Sequence, residues 1–218
     1  MRRITRLVAA LLAAVLLLAT GLSATADDVI PAPWRGDANT TIQEATFSQS
    51  GNISWESVTN PFGTPDIWMY GDVSQWNDQA EGRSGVISWG DSGNGFSMDI
   101  PNNEDANLEK RIWVQVTYYG AGPTIWKAVG IGTGGGSWAG LPPLEDTVNH
   151  SDGWVTDARE MVIQPNPSSE FVGIRWTGAG MVDQIVVETI CVPEPATTAL
   201  GFAALAMLCA GRLCRRRA

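Results

Sequence analysis

The sequence predicts an all-β fold, an antiparallel β-sandwich of jelly-roll type, flanked by an N-terminal signal helix and a C-terminal transmembrane helix. Three observations carry that reading. Short β-rich stretches, eight or more of them, recur through the middle of the 218-residue chain, separated by turn compositions such as Ser50-Gly51-Asn52 and Pro165-Asn166-Pro167. The chain's 24 glycines, all but Gly21, Gly201 and Gly211 in that middle part, and the near absence of helical periodicity there disfavour helices. Finally, Lys110 to Tyr119 alternates Ile112, Val114, Val116 and Tyr118 with Trp113, Gln115, Thr117 and Tyr119, half apolar on both faces, as a central strand requires.

Taken in order, residues 27–40 form an irregular leading segment that lies over the sandwich with Trp34 tucked in. Thr41 to Phe47 and Ile53 to Val58 make a hairpin around Ser50-Gly51-Asn52. Asn60 to Asp66 is too rich in proline and glycine for a regular element and leads, as an ordered loop, into Ile67-Trp68-Met69-Tyr70. Gly71 to Gly85 is polar and reads as surface loop. Val86 to Trp89 and Gly95 to Ile100 flank Gly90 to Asn94 as a second hairpin. Strands follow at 126–131, 154–164, 171–176 and 182–190. Gly132 to Gly140 holds five glycines in nine residues but lacks the Lys-Ser/Thr and following helix of a phosphate-binding loop.

The two ends of the chain carry a different pattern. Arg2, Arg3 and Arg6 precede an apolar run from Leu7 to Ala19, and Ala24-Thr25-Ala26 is a small-residue cleavage site. Together these are the three parts of a secretory signal peptide, residues 1–26, removed by signal peptidase after Ala26. At the other end Pro193-Glu194-Pro195 precedes an uncharged run from Ala196 to Gly211, then Arg212 and the block Arg215-Arg216-Arg217. Sixteen residues at about 1.5 Å rise span about 24 Å, so Leu213 and Cys214 must join, with Arg212 snorkelling, to cross a bilayer core of about 30 Å. Proline restricts its predecessor to extended backbone, which keeps the Pro-Glu-Pro segment out of any helix and open to a processing enzyme. The arginines hold the tail in the cytoplasm.

In that triplet, helix and arginine cluster the C-terminus resembles the PEP-CTERM sorting signal of Gram-negative and related bacteria. The resemblance covers residues 191–218: the motif 193–195, a transmembrane helix over 196–214 and a basic tail over 215–218. It implies cleavage near Pro193 to Pro195 by a membrane-embedded exosortase, a transient stay in the inner membrane, and release or transfer to the cell surface, often beside exopolysaccharide. The alternative for this tail is a plain membrane anchor. Within the domain, Asp183 to Glu188 resembles the closing strand of galactose-binding-like and carbohydrate-binding jelly rolls. Phe96 to Asn102, with Trp113 to Val116, is similar to a domain that recurs in exported PEP-CTERM proteins.

The expected exported domain, residues 27–190, carries 7 basic against 22 acidic residues, a net charge of −15. Such a surface repels nucleic acid and anionic lipid. Cys191 precedes the sorting motif and Cys209 and Cys214 follow it, so no disulfide can form within 27–190. Cys191 is either an incidental thiol ending the last strand or an attachment point.

All ten tryptophans lie in the domain. Indole faces stack on sugar rings, which makes a carbohydrate-binding or structural module the expected function. Trp113, Trp154 and Trp176 fall in strands and are expected in the core, whereas Trp68, Trp76, Trp126 and Trp138 lie in or beside loops and are the candidate ligand contacts. A glycan-active hydrolase, the alternative, needs two carboxylates about 5 to 9.5 Å apart, for which Glu56, Asp99, Glu104, Asp105 and Glu109 are candidates. Asn102, Asn103, Glu104 and Asp105 form a turn or, as oxygen donors, a calcium site without the EF-hand spacing. No other cofactor is expected. His150, the single histidine, has no partner motif for nucleophilic or metal chemistry and reads as a surface loop residue.

Overall fold

The computed structural model describes residues 28–50, 53–71, 75–90, 93–103, 105, 107–130, 138–139, 146–164, 166–167 and 169–193. The signal-peptide residues Ala24 and Ala26 lie outside the described residues, as do Glu104, Glu194, Pro195, Arg212, Arg215, Arg216 and Arg217. Among the described residues the fold is all-β and every pairing is antiparallel.

The strands are β1 (Thr41–Ala45), β2 (Ser57–Thr59), β3 (Asp66–Tyr70), β4 (Gln75–Ala80), β5 (Arg83–Trp89), β6 (Gly95–Pro101), β7 (Leu108–Gly120), β8 (Pro123–Gly130), β9 (Trp138–Ala139), β10 (Asp146–Asn149), β11 (Val155–Ile163), β12 (Ser169–Trp176) and β13 (Gly180–Pro193). The first sheet runs β10-β11-β7-β13-β1-β2, with β5 also pairing β13 and β4 pairing β5. The second runs β3-β6-β12-β8-β9. The longest strand, β13, is the spine of the first sheet: β7 follows it from Gly120 opposite Gly180 to Leu108 opposite Pro193.

Inward residues of both sheets meet in one core. Ile112, Val114 and Val116 from β7 and Ile185 and Val187 from β13 face Met98 and Ile100 from β6 and Val172 and Ile174 from β12. Trp89 and Trp176 cross between the sheets with ring centroids 4.4 Å apart, and Phe96 packs against both. Truncating a buried indole such as Trp176 removes enough contact to cost about 3 to 5 kcal/mol.

The other face of β7 is also covered, as its double apolar pattern requires. The leading segment lies across it: Ile30, Ala32 and Trp34 pack with Trp113, Ala158 and Ile190, and Trp34 meets Trp113 edge-on at 6.2 Å. Trp113 donates its indole N–H to the Ile30 carbonyl at 2.8 Å, while the Ile30 amide donates to Gln115 Oε1 at 2.8 Å.

Several boundaries differ from the sequence reading. Within the polar stretch 71–85, β4 pairs with β5 as a hairpin turning at Glu81 (φ 47°) and Gly82 (φ 82°), left-handed values that suit a tight hairpin turn. The β4 strand lies at a sheet edge with little to bury, so its composition carries no alternation. The expected hairpin over 86–100 does not form, because β5 joins the first sheet and β6 the second. In the first hairpin β1 stops at Ala45, since Phe47 takes φ 53° and Glu56 accepts the amides of Thr46 (2.9 Å) and Ser48 (2.7 Å). The last strand bulges between Val182 and Gln184, which shifts the alternation expected there.

Candidate binding face

The second sheet carries three of the four tryptophans singled out in the sequence on neighbouring rungs, with Trp68 on its outer face. Antiparallel partners directly opposite each other share a face. The ladders set Trp68 of β3 opposite Ser97 of β6, Ser97 opposite Gly173 of β12, and Gly173 opposite Trp126 of β8. A second row runs from Asp66 through Asp99 and Phe171 to Ala128 and Trp138. Three of the four candidate tryptophans thus stand in two adjacent rows, all in strands and not in loops. For Trp126 and Trp138 the placement is one of backbone register, and their side chains lie outside the described part. With strands about 4.8 Å apart, Trp68 and Trp126 are separated by roughly 14 Å, with serine and glycine between them.

Trp68 is 38% exposed, the most open large aromatic among the described side chains. It meets Phe171 edge-on at 5.0 Å, and the pair forms an apolar ridge. By contrast Trp34, Trp89, Trp113, Trp154 and Trp176 are buried, as expected for the three that the sequence assigned to the core. Trp76 is elsewhere: its half-buried indole packs against the core from β4 and donates to the Phe47 carbonyl at 2.8 Å.

Polar groups frame the aromatic rows. Asp66 and Asp99 face each other across β3 and β6. Burial, reinforced by the neighbouring Asp66 charge, holds the Asp99 carboxyl above its usual range. Tyr70 lies over Gly95 and donates its hydroxyl to the Ile174 carbonyl at 3.2 Å. A Cβ at Gly95 would stand 2.6 Å from the Tyr70 hydroxyl and 2.0 Å from the Ile174 oxygen, so that ring position requires glycine beneath it. Arg175, exposed, follows in the same row.

The remaining candidates separate from this face. Glu56 closes the loop after β1 through the two amides above. Glu109 pairs with Arg111 at 2.9 Å. Asp105 accepts the Asn107 amide at 3.0 Å, and Asn103 accepts the Asp105 amide at 3.1 Å, the bonds of successive tight turns. Asn102 points inward. No group of three or more acidic, histidine or cysteine side chains suited to a metal occurs among the described residues. His150 Nε2 bonds to Thr156 Oγ1 at 2.8 Å within the β10 to β11 connection. Cys191 is half-buried in β13 with its thiol 3.1 Å from Asn102 Oδ1, and burial raises its pKa.

Sequence reasoning missed one further concavity. At the end of the sandwich where β5, β7 and β13 meet, a cleft of about 430 Å³ is lined by Gln75, Ser88, Tyr119, Gly180 and Met181 among others. Its lining comes from strands far apart in the chain and includes Gly90, Gly120 and Gly180, so no local stretch of sequence signals it.

The fold and this face together define an antiparallel β-sandwich with an aromatic outer surface on its smaller sheet. Among solved structures, the chain is similar to CsCBM6-3 from Clostridium stercorarium in complex with cellobiose, at 15% identity, covering 58% of this chain and 87% of that one with a TM-score of 0.30. It is also similar to the C-terminal CBM6 of LamC, a marine laminarinase from Zobellia galactanivorans, at 12% identity, covering 56% and 98% of the two chains with a TM-score of 0.29. No protein-family model matches the chain, and no curated protein matches it.

Proposed function

We propose that this is an exported, surface-sorted protein whose jelly-roll-type domain binds polysaccharide through the outer face of its second sheet. The observation that supports it most is the row Trp68, Ser97, Gly173, Trp126, which sets two aromatics on either side of two small residues. Flat aromatic side chains suit the apolar faces of sugar rings, and the flanking Asp66, Asp99 and Arg175 suit their hydroxyls. Export by the signal peptide and processing at Pro193-Glu194-Pro195 by an exosortase would place this face where extracellular polysaccharide is met.

Affinity electrophoresis of the protein through gels containing its host's exopolysaccharide tests the reading. Retardation is expected, lost in Trp68→Ala and Phe171→Ala and kept in Tyr119→Ala, which alters the end cleft. Loss in Tyr119→Ala alone would move the site to the cleft, and no retardation of the wild type would leave a structural module.

The Asp66–Asp99 pair favours a second reading, a glycan-active hydrolase. Directly opposed strand residues have Cβ atoms about 4.5 to 5.5 Å apart, which brings the two carboxyl groups within reach of the separation of about 5 to 5.5 Å that a retaining pair needs. Release of reducing ends from the same polysaccharide, abolished in Asp99→Asn, would establish it.

A further inference from the structure

At the end of the sandwich away from the cleft, the core turns polar. Lys110 from β7 and Glu170 from β12 are both fully buried, with Nζ 3.0 Å from Oε1. Nζ also donates to Asn102 Oδ1 at 2.7 Å and to Thr189 Oγ1 at 2.8 Å. The proposed binding face uses none of these groups.

We propose that Lys110 and Asn102 join in an intramolecular isopeptide bond, formed in the folded domain with Glu170 moving the protons. The orientation of the Asn102 amide is set by its neighbours. Its oxygen accepts from Lys110 Nζ, from the Asn103 amide at 2.8 Å and from the Cys191 thiol at 3.1 Å, while its nitrogen donates to Asn166 Oδ1 at 2.5 Å and the Pro167 carbonyl at 2.7 Å. The flipped amide would turn a donor toward the donor-only ammonium, so the assignment is unambiguous. Extending the 2.7 Å contact by a C=O bond of about 1.23 Å bounds the Nζ–Cγ separation at about 3.9 Å, close to a near-attack distance.

The surroundings meet each requirement of the reaction. An amine attacks only as the free base, so a proton must leave Nζ during the step, and Glu170 Oε1, 3.0 Å away, is placed to take it. Burial pushes the Glu170 carboxyl up to about 7, with the Lys110 charge opposing the shift only in part. The carboxylate accepts no hydrogen bond from other described side chains, which leaves its second oxygen available to carry a proton. The charge that develops on Asn102 Oδ1 falls between the Asn103 N–H and the Cys191 S–H, an arrangement that stabilises a tetrahedral intermediate. The departing nitrogen is the one held by Asn166 and Pro167.

The atoms balance without an oxidant or a cofactor. Glu170 takes one proton from the Lys110 ammonium, Nζ bonds to Cγ, and the Cγ–Nδ2 bond breaks with release of ammonia. Of the three Nζ hydrogens, one stays on the new amide, one leaves with the ammonia, and one remains on Glu170, which is neutral in its buried site. The product replaces a buried ion pair by an amide and ties the β6 to β7 connection shut, in a domain that has no disulfide available before Cys191.

Trypsin digestion and mass spectrometry of the full-length protein purified from an expressing cell decide the question. Between Arg83 and Arg111 the single cleavage site is Lys110. The bond blocks it, so the expected product is peptide 84–111, about 17 Da lighter than its sequence and without backbone fragments between 102 and 110. In Glu170→Gln, peptide 84–110 is expected at its sequence mass. Cleavage after Lys110 at full mass in the wild type would overturn the proposal. So would the same loss of about 17 Da with cleavage after Lys110 intact, which marks an asparagine succinimide. Persistence of the cross-link in Glu170→Gln would overturn the role given to that carboxyl.

Discussion

Arg35 closes on Glu188 across 153 residues of chain with two hydrogen bonds, Nε to Oε2 at 2.7 Å and Nη2 to Oε1 at 2.5 Å. Glu188 is fully buried, and its Oε1 also accepts the Ala32 amide at 2.9 Å, so the leading segment supplies both the charge and the cover that this β13 carboxylate needs. The segment's other anchor is the indole of Trp113. Its clamp is extended by Asp28, which pairs with the outer edge of the same guanidinium.

Removing one partner of a buried ion pair leaves an uncompensated charge. Arg35→Ala is therefore expected to destabilise the domain by about 3 kcal/mol, tempered by the remaining Ala32 amide. Urea unfolding followed by tryptophan fluorescence checks this, and the double variant Arg35→Ala with Glu188→Gln should recover part of the loss. Equal destabilisation in the single and double variants would show that Glu188 does not depend on Arg35.

The stability of the domain should fall as pH rises from about 4.5 to 7. The Glu170 carboxyl has its pKa raised by burial from 4.5 to about 7, so across that interval the folded state holds a proton that the unfolded chain has lost. Stability then decreases with pH, by roughly 3 kcal/mol in all if the shift is undiminished, and levels off above 7. Thermal melts of Asn102→Ala, in which Lys110 keeps its charge beside Glu170, measure the slope at a series of pH values, and the slope should be flatter when Glu170→Gln is added.

Binding on the outer face should depend on a few aromatic side chains and little on charge screening. Trp68→Ala is expected to weaken polysaccharide binding at least tenfold, about 1.4 kcal/mol, while the circular dichroism spectrum stays unchanged because the indole is 38% exposed. Raising the salt concentration should alter affinity little, which separates stacking from an electrostatic association of this acidic protein.

Processing at the C-terminus has a geometric constraint. The last strand runs through Pro193, which pairs with Leu108, so the Pro-Glu-Pro motif begins inside the folded sheet and not on a linker. The intact mass of the mature protein is expected to end near residue 195, and replacing Pro193-Glu194-Pro195 by three alanines should leave the arginine tail attached. If the wild type retains Arg215 to Arg217, the tail is a plain anchor.

Much of the domain was legible in its residues. The alternation from Ile112 to Tyr119 identified the central strand because two covered faces impose a period of two on both sets of side chains, and Trp34 was identifiable as the plug for one of them. Trp113 and Trp176 followed from their places in strands, whereas Trp154 is buried just before β11 begins at Val155, outside the strand expected to hold it. Gln75 to Ala80 was not recognisable as a strand, since an edge strand buries little and its pairing is made by the backbone, which every residue shares. Nor could composition say that β5 and β6 part into different sheets, because both have strand-forming sequences and a turn between them.

By itself, then, the sequence determined the class of fold, the two ends that look like export and sorting signals, and the excess of tryptophan, all local properties of composition and period. Which tryptophans share a face was decided by strand register, a relation between segments as far apart as Trp68 and Trp126. The same holds for the meeting of Lys110, Asn102 and Glu170, which only the packing of β7 against β12 produces. Local sequence cannot encode such encounters, because each is set by the closure of the two sheets on a common core.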